Sequence, residues 1–202
     1  MNNPEKDLII FGAGAQAAKA IEIAIPRKFK VAGYISTEGK GKVINGFSVL
    51  GDLEYYKTNP ELRGKYCHIA IGENSVRFKI LDSIGAEQDL LTLISDKSLV
   101  GGKVIVGKGS FVGAGAIIEN NVNIGKCCLI DTGAIVCHDS LIGDFVNIGP
   151  RATLCGTARV GKGAVIGAGA TLIEKITIGE NSLVGAGSVV IKDIEPNVIA
   201  SR

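Results

Sequence analysis

The chain of 202 residues contains two histidines, His68 and His138, and only His138 stands where an imidazole can meet another molecule. Asp139 follows it directly. Together they have the make-up of a general base and its carboxylate. An imidazole titrates at about pH 6.5, close to neutrality, and a carboxylate on its second nitrogen selects the tautomer and stabilises the imidazolium. Eighteen residues before His138 is Asn120, and eighteen after it is Gly156. The glycine leaves an open notch above the imidazole with a backbone amide beside it, where a substrate carbonyl fits. His68, at the head of a predicted strand, reads as structural. Cys137 adjoins His138, but its odd phase directs it elsewhere, so no cysteine nucleophile is expected. The five cysteines lack any CxxC spacing and read as reduced, packed thiols. His138 and Asp139 are the only close pair of typical metal ligands, and no metal is expected.

Counting in eighteens rests on a repeat. From Val106 to Val190 an aliphatic residue occupies every sixth position, and the hexads run on to Glu195. Four places after each comes a residue that is usually small, among them Ser110, Ala116, Ala134, Ala152, Ala164, Ala170 and Ser188. Looser units at Ile94 and Val100 fit the same frame. This is the hexapeptide pattern of a parallel β-helix. Three hexads make one coil with three flat faces, and residues eighteen apart stack at the strand spacing of about 4.8 Å. His138 holds the third place of its hexad, outside the two interior phases, so its ring projects from the surface. Asn147 lies nine residues on, half a coil away, on the opposite side of the prism.

Near residue 93 the composition changes from charged and helix-friendly to glycine-rich and aliphatic, which predicts two domains, 1–93 and 94–202. In the first, residues 7–11 read as a buried strand. A glycine turn follows (Gly12-Ala13-Gly14-Ala15-Gln16), then a helix through Ile25 with Ala17, Ala18, Ile21 and Ile25 on its apolar side. Strands at Val31–Ile35 and Cys67–Ile71 and a helix at Ser75–Ile84 complete a Rossmann-like half domain. Gly12, Gly14 and Ala17 match the dinucleotide fingerprint. NAD would call for an acidic residue at the end of the second strand, where the chain has Ser36 and Thr37, with Glu38 one place late. A glycine turn at a helix N-terminus still suits the phosphates of a nucleotide-linked substrate. A turn that binds nothing, an NAD-dependent oxidoreductase and a nucleotide-binding scaffold with an inert solenoid remain as alternatives. A formal net charge of +2 points to neither nucleic acid nor an anionic membrane. No apolar run reaches spanning length, and MNNPEKDLII lacks the apolar core of a secretory leader, so the expected location is the cytoplasm.

The run from Val136 through His138 and Asp139 to Pro150 resembles the active-site stretch of bacterial hexapeptide sugar acetyltransferases. These enzymes acetylate nucleotide-linked 4-amino sugars and have sialic-acid O-acetyltransferase relatives. The start, LIIFGAGAQ, resembles their nucleotide-binding turn. The resemblance implies a left-handed parallel β-helix and acetyl-CoA as co-substrate. It makes His138 the general base, Asp139 the acid that raises its basicity and the Gly156 amide the donor to the thioester carbonyl. Ala168 and Ala186 would line the acetyl-CoA groove. Asn147 falls where the family usually has a second histidine that contacts the acetyl oxygen. Nucleotide-sugar contacts are implied at Gly14, Ala15, Gln16, Ser36, Thr37, Gly72, Glu73 and Asn74. The implied acceptor is the amine of a UDP- or dTDP-linked 4-amino-4,6-dideoxy sugar used in surface glycan synthesis, and a sugar hydroxyl remains the alternative. The chain departs from the family pattern in having Ala15-Gln16 in place of a Gly-His pair and Ser36-Thr37 in place of acidic residues. It also lacks the family's Gly-x-Pro-Ala-Lys-type tail, ending at Ala200-Ser201-Arg202. If His138 and Asn147 both act on one thioester, the site must form between subunits. A homotrimer with three clefts meets that geometry.

Overall fold

The computed structural model of the chain describes residues 7–85 and 88–200, and the chain divides into two units, Met1–Leu93 and Ile94–Arg202. The first unit runs β1 (Leu8–Phe11), α1 (Ala15–Ala24), β2 (Val31–Ile35), β3 (Val43–Ile44), β4 (Phe47–Gly51), α2 (Leu53–Thr58), α3 (Pro60–Arg63), β5 (Tyr66–Ile69) and α4 (Asn74–Ile84). The sheet order is β3-β4-β2-β1-β5, parallel except for the β3–β4 pair. β1 is an interior strand, and its four apolar residues are all buried, as in a parallel strand covered on both faces. β2 and β5 flank it in parallel, so the loops that follow these three strands emerge side by side at their carboxyl ends. That edge is where open α/β sheets bind ligands.

Some local expectations shift. Ile25, expected on the buried stripe of α1, is the C-cap and half exposed; Ala20, Ile23 and Ala24 extend the stripe instead. The hairpin β3–β4 and the short helices α2 and α3 occupy a stretch without a predicted element. The hairpin turns on Asn45 and Gly46, at φ 48° and 83°, the left-handed pair that a two-residue turn requires. Asp52 opens α2 by accepting the Tyr55 amide at 2.8 Å, and Pro60 stands in the first turn of α3, where a missing N–H does no harm.

The second unit is a left-handed parallel β-helix of two-residue strands. Its three faces pair in register at eighteen-residue intervals. The first face carries Ile117–Ile118, Ile135–Val136 and Thr153–Leu154; the second carries Asn123–Ile124 and Leu141–Ile142; the third carries Leu129–Ile130 and Asn147–Ile148. The hexad aliphatics and the small residues four places later form one continuous core that includes Ile118, Val136, Leu154, Ala116, Ala134 and Ala152. Ser110 and Ser188 share the small phase and are buried with them. The frame holds through Val190 and then shortens. Ile178 bridges Ile194 and Val184 pairs with Ala200, a step of 16 residues like that between Thr177 and Asp193. The regular frame would bring Pro196 opposite Ile178. Proline has no amide for the ladder, and the chain uses the aliphatic Ile194 two residues earlier.

Candidate active site

His138 stands at the corner after strand Ile135–Val136, between the first and second faces, with Asn120 one coil before it and Gly156 one coil after. Its side chain is 59% exposed. Nδ1 lies 2.8 Å from Asp139 Oδ2, which assigns the Nδ1 proton to the aspartate bond and leaves Nε2 as the basic nitrogen. The two side chains can meet although they are sequence neighbours because Asp139 adopts φ 59°, which bends the chain at the corner. Asn121 Nδ2, from the preceding coil, donates to Asp139 Oδ1 at 3.1 Å and restrains the carboxylate.

The notch over Gly156 is not empty space. A Cβ built on Gly156 would lie 2.7 Å from His138 Cε1 and 2.8 Å from Nε2, so the imidazole itself fills the volume a side chain would take. The sequence reading left the notch open for a substrate; the ring leans into it because nothing else does. The Gly156 amide takes no part in the backbone ladder, whose donors at this turn are Cys155 and Thr157. The edge of the imidazole and a backbone N–H without an acceptor among the described residues are thus neighbours. One basic nitrogen beside one hydrogen-bond donor can take a proton from a nucleophile and steady the oxygen of the carbonyl it attacks.

Electrostatics favour a proton on this ring. The hydrogen bond to Asp139 raises the His138 pKa above its ordinary value, and the charges of Asp139, Glu119 and Glu174 add to it against a smaller desolvation effect. The same bond, followed by that from Asn121, lowers the Asp139 carboxyl. Cys137 is the reverse case. Burial raises its pKa, and Glu119 and Cys155 raise it further, so a thiolate is disfavoured beside the imidazole. His68 is fully buried in β5, its Nδ1 is 2.9 Å from the Leu91 carbonyl, and burial lowers its pKa to about 4.

Asn147, Ala168 and Ala186 are not gathered with this corner. Asn147 belongs to a strand of the third face, opposite the His138 corner, while Ala168 and Ala186 follow third-face strands at the corner leading to the first face. One chain therefore holds two separate sets, His138, Asp139 and Gly156 on one side and Asn147, Ala168 and Ala186 on another. Glu119, Asn121 and Glu174 were not singled out from sequence. Counting eighteen back from Asp139 and eighteen on from Gly156 reaches Asn121 and Glu174.

In the first unit the expected contacts line the carboxyl edge of the sheet. Gly12 has φ +95°, and a Cβ there would lie 2.8 Å from Ile71 Cγ1 and 2.9 Å from the Ala70 carbonyl oxygen, so only glycine lets the β1 and β5 loops approach. Gly14, the N-cap of α1, faces open space, and Ala15 and Gln16 form the first turn. Gln16 Nε2 is buried and finds no acceptor among the described residues. Ser36 and Thr37 line a cleft of about 410 Å³ with Lys40, Asp52 and Tyr55, three residues that sequence reasoning missed because they belong to the unpredicted stretch. Lys40 Nζ lies 4.0 Å from the centre of the Tyr55 ring. Glu38, one place beyond the position that NAD would need, pairs with Lys42 on the surface. Gly72, Glu73 and Asn74 follow β5, and Arg77 secures the turn by donating to the Ile71 and Gly72 carbonyls at 2.9 Å each. No group of three His, Cys, Asp or Glu side chains among the described residues could hold a metal ion, and no helix among them is long and apolar enough to cross a membrane.

Comparison with known proteins matches residues 7–84 to the PglD N-terminal domain. Residues 103–138 match the hexapeptide repeat of succinyl-transferase, and 157–192 the bacterial transferase hexapeptide of six repeats. No curated protein sequence matches. Among solved structures, PerB from Caulobacter crescentus in complex with CoA and GDP-perosamine is 32% identical with a TM-score of 0.85, over 95% of this chain and 92% of that one. The acetyltransferase domain of PglB from Neisseria gonorrhoeae is 29% identical with a TM-score of 0.88, over 97% of each chain. The same domain in complex with acetyl coenzyme A gives 29% and 0.87, over 97% of this chain and 96% of that one. With 32% identity to a relative along nearly its whole length, and with a PglD-type domain followed by hexapeptide repeats, the chain belongs to the bacterial hexapeptide-repeat sugar acetyltransferases.

Proposed function

We propose that the protein transfers the acetyl group of acetyl-CoA to the amine of a nucleotide-activated amino sugar in the cytoplasm, with His138 as general base. The observation that carries this reading is the imidazole set edge-on to the Gly156 amide, among the carboxylates of Asp139, Glu119 and Glu174. An amino sugar is an ammonium ion near neutral pH, and three carboxylates around the base favour a cation over a neutral hydroxyl. The bound ammonium first loses one proton to solvent, and the free amine nitrogen then attacks the thioester carbonyl carbon while His138 Nε2 takes a second proton from it. The Gly156 N–H steadies the oxyanion, the C–S bond breaks, and the proton passes to the sulfur, which leaves as the thiol. Asp139 holds the imidazole tautomer and offsets the charge of the imidazolium.

The first domain, 1–93, binds the nucleotide at Gly14, Ala15, Gln16, Ser36, Thr37, Gly72, Glu73 and Asn74, and the buried, unsatisfied Gln16 amide supports a polar ligand there. The second, 94–202, carries out the transfer. Because Asn147, Ala168 and Ala186 lie away from His138 in one chain, we assign them to a neighbouring subunit's cleft in a homotrimer, where Asn147 donates to the acetyl oxygen and the two alanines flank acetyl-CoA.

The test is thiol release from acetyl-CoA with UDP-, dTDP- and GDP-linked 4-amino sugars, and with the same sugars carrying a hydroxyl, on enzyme whose sedimentation is followed alongside. Thiol is expected with an amino sugar, from a trimer. Faster turnover of the hydroxyl sugars would overturn the amine reading. Silence with every acceptor would favour a non-catalytic nucleotide-binding scaffold, and an active monomer would remove the shared cleft.

The base must be neutral to work, so kcat/KM is expected to fall as pH drops through the pKa of His138. That pKa is raised, so the acid limb lies above the ordinary histidine value of about 6.5. Asp139→Asn removes the principal cause and is expected to move the limb to lower pH as well as lowering the rate. A limb at or below the ordinary value in the parent enzyme would contradict the assignment.

A further inference from the structure

We propose that Glu119 is a positioning residue for His138, holding from the preceding coil the peptide on which the base stands. At the corners of this solenoid the N–H two places after the core aliphatic does not join the ladder between coils. Where it is closed, the closing group can be the side chain directly above. Asn120 Oδ1 accepts the Gly102 amide at 2.7 Å, and Asp144 Oδ1 accepts the Lys126 amide at 2.9 Å, each from eighteen residues on. The corresponding position above His138 is Gly156, which has no side chain because the imidazole occupies its place. The same glycine that admits the ring therefore leaves the His138 amide without a cap from above. Glu119 supplies it from below, with Oε2 2.9 Å from the His138 nitrogen. Its register explains the reach. Glu119 stacks under Cys137, next to the first-face strand Ile117–Ile118, and a glutamate is long enough to extend past Cys137 to the following amide.

This arrangement has a second effect. Glu119 places a negative charge near the imidazole, beside those of Asp139 on the same corner and Glu174 two coils on, with the Cys137 and Cys155 thiols between. The residue thus acts on the base in two separable ways, through the peptide it anchors and through its charge. Glu119→Gln keeps an oxygen acceptor of the same reach and removes only the charge. Glu119→Ala removes both.

The catalytic consequence rests on His138 being the base, so the test also reads the imidazole directly. The chain has two histidines, and His68 is fully buried, so the His138 ring can be followed by NMR titration in the whole protein. In Glu119→Gln its titration midpoint is expected at lower pH than in the parent, with the acid limb of kcat/KM moving the same way. In Glu119→Ala kcat is expected to fall about ten- to hundredfold, since a displacement of order 1 Å in a reacting group has effects of that size. An unchanged midpoint in Glu119→Gln would overturn the electrostatic part even if the alanine variant failed to fold. Normal kcat in folded Glu119→Ala would overturn the anchoring part. If the midpoint moves while activity ignores His138 altogether, Glu119 keeps its effect on the imidazole and the base assignment is what fails.

Discussion

His138→Ala is expected to lower kcat by about 10²- to 10⁴-fold, the range that a positioned proton acceptor contributes, and to leave the solenoid folded. The two effects separate because the ring is not part of the core. It is more than half exposed, and the bonds that define its corner, from the His138 amide to the Glu119 carboxylate and from the Thr157 amide to the His138 carbonyl, use only the main chain of His138. The nucleotide contacts assigned to the first domain do not involve His138, so KM for the nucleotide sugar should stay near its parent value. Loss of kcat without loss of binding is the signature of an interaction made at the transition state. Residual turnover is still expected, because the Gly156 amide and the bound orientation of the substrates survive. A folded alanine variant with turnover within a factor of about three of the parent at saturation would remove His138 from the chemistry.

Gly156→Ala is the sharper test, since it adds one methyl group and removes nothing. The new Cβ would sit 2.7–2.8 Å from Cε1 and Nε2 of His138, and the ring must swing away. That movement costs little, because the atoms displaced are the free end of an exposed side chain and Gly156 is not among the residues held at positive φ. Gly156 is itself buried, so the change in stability is set by how freely the ring moves, and no more than about 1 kcal/mol is expected. Activity should fall about a hundredfold, since the base leaves its bond to Asp139 and its place beside the Gly156 amide. Thermal unfolding and kcat measured on one preparation decide the matter. A variant that melts early yet turns over normally would show that Gly156 serves packing alone.

Much of this corner was legible from sequence because a hexapeptide frame converts sequence distance into spatial neighbourhood. Once the aliphatics from Val106 to Val190 set the phase, His138 had to project outward, Gly156 had to lie beside it, and Asn147 had to fall across the prism. The unread part depended on side-chain length and direction, which a frame does not carry. That the imidazole lies over Gly156 and does not stand clear of it, and that Glu119 reaches the His138 amide from nineteen residues back, follow from rotamers and not from period. The end of the frame was missed for a different reason. Ile194 and Pro196 are two residues apart, and only the inability of proline to donate decides which takes the place opposite Ile178. In the first unit β1, α1 and β2 announced themselves by apolar runs and a glycine turn. The hairpin at residues 43–51 is short and partly exposed, and its one clear signal is the Asn45-Gly46 pair. With that stretch went the cleft residues Lys40, Asp52 and Tyr55.

The eighteen-residue step also bears on how such a gene could lengthen. Inserting eighteen new residues at a point between 176 and 190 would add one more coil and leave Glu119, Asn121, His138 and Gly156 as neighbours. The same insertion at a point between 122 and 137 would carry Glu119 and Asn121 one strand spacing, about 4.8 Å, further from the histidine. Between 140 and 155 it would slip a foreign residue in place of Gly156, under the imidazole. An insertion that is not a multiple of six would turn core aliphatics outward for every coil beyond it. The solenoid can thus gain coils on either side of residues 119–156, while inside that interval its length is bound to the site it builds.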